Sequence, residues 1–250
     1  KDDSSLTLWF SEALHPDRLP ELEVARDPPL VIQSIIPKDE PETLQLLLQD
    51  APKAGQPYTV SVRKAFDCLE NLMDEENRAT FYLPQEAEYG DLAINEIMYN
   101  PAEGGAEFIE LYNVSNKHVQ LNSKLAIKIG DQSHIITLKD EVLAPGNFAV
   151  LTEYPDLLLA DYPGSPTESI LAAKGFPVLQ NQGNGIALCL ADTWIDSVYY
   201  DPSFHMPLIK NDQGVSLERI FSDRQALDKN NWQSAASSVG FATPGLVNSQ

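Results

Sequence analysis

Carboxylates stand inside stretches of this chain that otherwise read as β-strands. Glu96 lies within Leu92–Ala–Ile94–Asn95–Glu96–Ile–Met98, and Glu107 and Glu110 within Glu107–Phe108–Ile–Glu110–Leu–Tyr112–Asn113. Far downstream, Ser216–Leu217–Glu218–Arg219 adds an acid and one of the two arginines that follow residue 84. Paired carboxylates can move protons or hold a divalent cation. The same residues can also be architecture. Strand alternation puts Glu96 with Leu92, Ile94 and Met98, Glu110 with Phe108, Tyr112 and Val114, and Arg219 with Val215, Leu217 and Phe221. An unpaired buried charge costs several kcal/mol, so Arg219 is expected to pair with Glu110 or Glu96 at the margin of a core. Edge strands that let the charges reach water, or bulges that shift the faces, are the alternatives.

Other constellations are missing. The chain has no Gly-x-Ser-x-Gly elbow, no His-Glu-x-x-His helix and no Gly-x-x-x-x-Gly-Lys loop. Gln182–Gly183–Asn184–Gly185 reads as a tight turn. His15, His118, His134 and His205 are scattered, and His205 sits in the aromatic, acidic loop Tyr200–Asp–Pro–Ser–Phe–His–Met–Pro207. With no paired Cys or His at ligand spacing, zinc is not expected. The expectation is therefore no enzyme and no cofactor. Calcium is the one cation the acidic loops could serve, at Glu86, Glu88 and Asp91 or near Asp201. Asn211–Asp–Gln–Gly214 is no EF-hand loop, because Ile209 holds the first ligand position. Trp194, Tyr199, Tyr200, Phe204 and Trp232 could form a contact platform, or could fill and cap a core.

The net charge of −20 is spread over the chain, with 8 basic and 16 acidic residues in 1–84 and 9 and 21 in 85–250. Direct nucleic-acid binding is disfavoured, since phosphate contact needs clustered Lys and Arg. A solvated acidic surface is the plain reading. No apolar run is long enough for a transmembrane segment. Cys68 and Cys189 fall in different expected domains, which argues against a disulfide; Cys189 reads as a packed thiol. The start at Lys1–Asp2–Asp3 reads as a trimmed or mature fragment.

Elements that could position these residues are short strands punctuated by glycine and proline, the rhythm of an all-β sandwich. Leu6, Leu8 and Phe10 alternate, as do Leu44, Leu46 and Leu48, and Tyr58, Val60 and Val62. Phe81–Tyr82–Leu83 closes this first set. The pattern then breaks at Pro84–Gln–Glu–Ala–Glu–Tyr–Gly90, giving a domain over 1–84, a linker over 85–90 and a second domain over 91–250. In the second, Leu125–Ile129 and His134–Leu138 flank a Gly130–Asp131 hairpin signal. Further strands are expected at Phe148–Leu151, Ile186–Leu190 and Trp194–Tyr199. Thr167–Lys174 and Asp223–Lys229 are candidate short helices.

The first segment resembles bacterial Ig-like domains, on Trp9–Phe–Ser–Glu–Ala–Leu14, Gly55–Gln–Pro–Tyr58–Thr–Val–Ser–Val62 and Phe66–Asp67…Glu70–Asn71–Leu72. It departs at Glu70, where that family has Gly, and lacks a recognisable opening strand. The second segment resembles the lamin-tail family, of the bacterial type. Asn95, Glu96, Asn100, Pro101, Glu107, Glu110 and Asn113 open the pattern, Asn181 and Gly183 continue it, and Ser216, Glu218, Arg219, Trp232, Thr243, Pro244 and Gly245 close it. The resemblances imply two tandem Ig-like β-sandwich domains. They also imply a non-enzymatic extracellular or cell-envelope scaffold, adhesion or protein-interaction module, bound to a protein or cell-surface ligand. The alternative implied role is an accessory attachment module of a larger secreted hydrolase, of nuclease or phosphatase type.

Overall fold

A computed structural model describes residues 4–73, 77–122, 124–191 and 193–249, so the Lys1–Asp3 start lies outside the described residues. The chain is all-β and divides into two compact units, Lys1–Pro84 and Gln85–Gln250.

In the first unit β1 (Ser5–Trp9), β4 (Thr43–Leu48) and β3 (Ile32–Pro37) form one antiparallel sheet in that order. The other joins β2 (Glu23–Asp27), β5 (Pro57–Arg63) and β6 (Arg78–Tyr82), also antiparallel. Only the central strands are well buried. Leu44, Leu46 and Leu48 of β4 and Tyr58, Val60 and Val62 of β5 point inward at every second residue. The period-two expectation holds because each central strand has one face on the core.

The second unit has a six-stranded sheet, ordered β14 (Ile170–Ala172), β13 (Phe148–Thr152), β8 (Phe108–Asn113), β7 (Leu92–Met98), β17 (Leu217–Arg219) and β18 (Trp232–Ser234). Its other main sheet runs β11 (Gln132–Ile135), β10 (Leu125–Ile129), β15 (Asn184–Leu190) and β16 (Thr193–Tyr200). A pair, β9 (Val119–Leu121) and β12 (Glu141–Leu143), completes it. Leu92, Ile94, Ile97, Ile109, Leu111 and Leu217 meet Leu125, Ile127, Ile186, Leu188, Ile195 and Val198 in one core between the sheets. A smaller cluster lies on the opposite face of the six-stranded sheet: Met98, Phe108 and Val150 beneath Leu158 and Ala242. Leu158 belongs to α1 (Pro155–Asp161). Strand β7 is thus covered on both faces and buried at every position.

Two sequence expectations fail locally. Thr167–Ser169 is a single 3-10 turn that runs into β14, and residues 223–228 are turns rather than a helix. Neither segment is long enough to repay helix nucleation without an apolar face to bury. The hairpin at Gly130–Asp131 forms, with its second strand at Gln132–Ile135. Cys68 and Cys189 are both free thiols; Cys189 is buried, and burial raises its pKa. Residues 85–90, read as a linker, are hydrogen-bonded into the second unit: the Gln85 amide donates to the His118 carbonyl, and Gln120 N–H donates to the Gln85 carbonyl.

Candidate functional site: a row of buried glutamates

Strand pairing sets Glu96 directly opposite Glu110 on one side and Glu218 on the other. The three carboxylates therefore form a row across β8, β7 and β17, and all are fully buried (0% exposed). Directly opposed side chains in a sheet stand about 5 Å apart, a spacing at which like charges repel. A bulge brings them together: the β7 register shifts between Ile94 and Glu96, leaving Asn95 as the extra residue. Before the bulge Leu92 and Ile94 face the main core. After it Ile97 and Tyr99 do, and Glu96 turns to the opposite face with Met98. Strict alternation placed Glu96 beside Leu92 and Ile94, and one inserted residue reverses that.

The C-terminal segment lies over the row, its backbone amides aimed at the carboxylates. Thr243 N–H donates to Glu96 Oε1 (2.9 Å), Gly245 N–H to Glu110 Oε2 (2.6 Å) and Ser249 N–H to Glu218 Oε2 (3.0 Å). Side chains complete the shell. Ser216 Oγ donates to Glu96 (2.5 Å), Asn95 Nδ2 to Glu110 (2.7 Å) and Ser249 Oγ to Glu218 (2.7 Å). The Thr243 hydroxyl reaches both Glu218 Oε1 (2.7 Å) and Glu96 Oε2 (3.3 Å). Asn95 Nδ2 also donates to Asn248 Oδ1 (2.9 Å), which ties the bulge to the same segment. Gly245 has φ +80° and a Cβ there would stand 3.1 Å from Pro166 and Ser169, so glycine after Pro244 is what lets the chain pass so close.

Burial dominates the acidity of Glu96 and Glu110. It lifts Glu96 to about 7, aided by the Glu218 charge and opposed by the Ser216 and Thr243 hydrogen bonds. Glu110 is raised well above the ordinary carboxylate range by burial and then by the Glu96 charge, against the pull of the Asn95 and Gly245 donors. None of the ion pairs among the described residues includes Glu96 or Glu110.

Arg219 is on the other face of the sheet, and its expected pairing is corrected. Its partner is Asp196, not Glu96 or Glu110. Nη1 meets Asp196 Oδ2 at 2.7 Å, and the remaining donors reach the carbonyls of Ile94, Phe221 and Arg224. Asp196 Oδ2 also accepts the Ile94 amide (2.9 Å), so the pair fastens β16 to β7 just before the bulge. The inward face of Arg219 was legible in its alternation with Leu217. Its partner was not, because a second irregularity, between Leu188 and Cys189, displaces the β16 register around Asp196.

The remaining motif residues are placed apart from the row. Asn113 is fully buried and donates to the carbonyls of Lys117 and Leu143. Glu107, half-buried and raised by burial, accepts the Leu179 amide (2.9 Å). Asn181 donates to Asn100, which, just ahead of Pro101, donates to Asp212. At Gly183, φ is +92° and a Cβ would stand 2.5 Å from the Tyr200 carbonyl, so the turn admits only glycine. Trp232 is in the main core, its Nε1 donating to the Ala226 carbonyl (2.7 Å). His205 is buried between Ser234 Oγ and Tyr99 OH, each 2.9 Å away, and Tyr99 in turn donates to Asp212 (2.6 Å). Burial lowers the His205 pKa, which favours the neutral ring. Asp196, Asn248 and Ser249 carried no periodic or motif signal that would have singled them out, and Asp212 stood out only in the Asn211–Gly214 stretch that is no EF-hand loop.

Each acid of the 85–91 cluster is held by lysine: Glu86 by Lys124 (2.6 Å), and Glu88 (2.5 Å) and Asp91 (2.8 Å) by Lys117. Among the described residues no group of three His, Cys, Asp or Glu is arranged to hold a metal ion, and no helix is long and apolar enough to cross a membrane. The aromatic set divides. Tyr200 and Trp232 are buried and Phe204 packs on the core, while Trp194 and Tyr199 are exposed on β16. These two border a hollow of about 610 Å³ on the outer face of the four-stranded sheet, with Lys128, Ser133, Ala187 and Leu227. A second hollow of about 520 Å³ shares Trp194, Ser197 and Leu227 and reaches Arg219 and Tyr89.

Residues 85–202 match the family model of the Lamin Tail Domain. No curated protein matches the chain. Among solved structures, the N-terminal part of the bacterial S-layer protein SbsC is 13% identical, with a TM-score of 0.31 over 80% of this chain and 42% of that one. The S-layer protein rSbsC(31-844) is 10% identical, with a TM-score of 0.28 over 79% of this chain and 39% of that one. The chain thus spans about two fifths of the length of each, and a likeness this distant carries no argument.

Proposed function

We propose that this chain is a non-enzymatic binding or scaffold module of a bacterial cell surface or envelope, and that it contacts its partner through the outer face of the β10–β15–β16 sheet. The observation that carries the reading is a division of labour among side chains. The acids and the histidine that could have done chemistry are bonded inward, to backbone amides, to Arg219 or to Tyr99. Trp194, Tyr199 and Leu227 instead stand exposed beside an open hollow. Large aromatics presented to solvent next to small residues such as Ala187 and Ser133 give contact area at low entropic cost. The reading needs no cofactor and no nucleic acid, and the Lamin Tail Domain match over residues 85–202 supports an interaction role.

Cosedimentation with purified bacterial cell envelopes tests it. The full chain is expected to be retained, and the double substitution Trp194→Ala/Tyr199→Ala to lower retention ten-fold or more with unchanged circular dichroism. Retention indifferent to that change, or nuclease or phosphatase turnover by the purified chain, contradicts the reading.

A further inference from the structure

The row of glutamates does more than close a sandwich. A carboxylate in mid-sheet is an expensive way to bind a backbone amide when a neutral Gln or Asn would serve. Three in adjacent positions cost more still, since each ionised member raises the energy of the next. The groups around Glu96 and Glu110 do nothing to relieve this. On the sheet they face each other and Glu218, with Val150 opposite Glu110 and Gln233 opposite Glu218. The overlying residues 241–249 carry no ionisable side chain. At the end of α1 stand Asp161, its last residue, and Tyr162, a phenol whose ionisation is held back by burial first and then by the Glu96 and Asp161 charges. Among the described residues no cationic side chain forms an ion pair with Glu96 or Glu110.

We propose that residues 241–249 form a proton-operated latch on the outer face of the six-stranded sheet, closed while Glu96 and Glu110 hold protons and released when they are ionised. Protonated, the two acids still accept from Thr243 and Gly245 through their carbonyl oxygens, at no electrostatic cost. Ionised, they repel each other and Glu218 across the sheet, and lifting the segment lets water reach them. Release uncovers Met98, Phe108 and Val150, which Ala242 helps to cover. Glu96 is the natural trigger, because it alone has a carboxylate on both sides.

The direction of the pH effect follows from the sign of the shift. The closed state binds protons more tightly than the open one, so closure is favoured at low pH and is lost as pH rises from about 4.5 to about 7. Over that window the opening constant rises on the order of a hundred-fold, after which the effect levels off. Amide hydrogen exchange on the full chain, corrected for the intrinsic rate, reads this directly. The Thr243 and Gly245 amides are expected to open about a hundred-fold more between pH 4.5 and 7.5, beyond any change at the β7 and β8 amides. Glu96→Gln is expected to cut that rise at least ten-fold, and Glu110→Gln to cut it less. The latch is overturned by a flat wild-type profile, by a rise that survives both substitutions, or by segment and strand amides that change together. If neither variant folds, the wild-type series still decides.

Discussion

Arg219→Met is expected to cost about 3–5 kcal/mol of unfolding free energy, near the lower end because Asp196 retains some contact with water. The guanidinium side chain is 4% exposed, and the change removes donors to Asp196 and to three backbone carbonyls at once. What remains is a mostly buried carboxylate still accepting the Ile94 amide. Most of the loss therefore reflects a stranded charge rather than the worth of the pair. Two controls separate these. Adding Asp196→Leu to Arg219→Met should recover about half of the loss or more. Glu110→Gln, by contrast, should show no energetic coupling to Arg219→Met beyond about 0.5 kcal/mol, because the two side chains lie on opposite faces. Urea melts of the four variants check this; strong coupling to Glu110 would restore the pairing the sequence first pointed to.

Trp232→Ala should destabilise by about 3–5 kcal/mol, since it empties an indole-sized volume in the main core and strands the Ala226 carbonyl. Trp194→Ala, at an exposed position, should stay within about 1 kcal/mol of wild type. The contrast separates two residues that sequence alone treats alike. If thermal melts of Trp232→Ala moved as little as those of Trp194→Ala, the indole would have to lie at the surface, and the division between core and contact aromatics would fail.

Where a strand is regular, the sequence displays its faces. Leu44, Leu46 and Leu48 point inward as their alternation requires, and so do Tyr58, Val60 and Val62. Arg219 also faces the way its spacing with Leu217 indicates. Legibility ends at the irregularities. Asn95 is an extra residue in β7, and no local feature of Ile–Asn–Glu announces that it is bulged. Yet this one residue moves Glu96 from the core face to the covered outer face, and so decides which partners it can have. The β15–β16 irregularity hides Asp196 in the same manner. The covering segment was half visible: Thr243, Pro244 and Gly245 stood out as a motif, but nothing local links them to glutamates that lie 135 and 147 residues earlier in the chain. Helix α1 went unforeseen because seven residues are too few to show a helical period. Contacts of such sequence separation are properties of topology, and topology is what a single sequence states least directly.

The central claim is that the buried acids brace the sheet through the backbone of the C-terminal segment and do not hold a catalytic metal. Diffraction from crystals grown in millimolar manganese, recorded for its anomalous signal, tests this most directly. The account predicts Thr243 N and Gly245 N within about 3 Å of the Glu96 and Glu110 carboxylates, a normal hydrogen-bond separation, with no anomalous peak beside them. A manganese peak bonded to these oxygens, with the segment displaced and a cleft open to solvent, would contradict it.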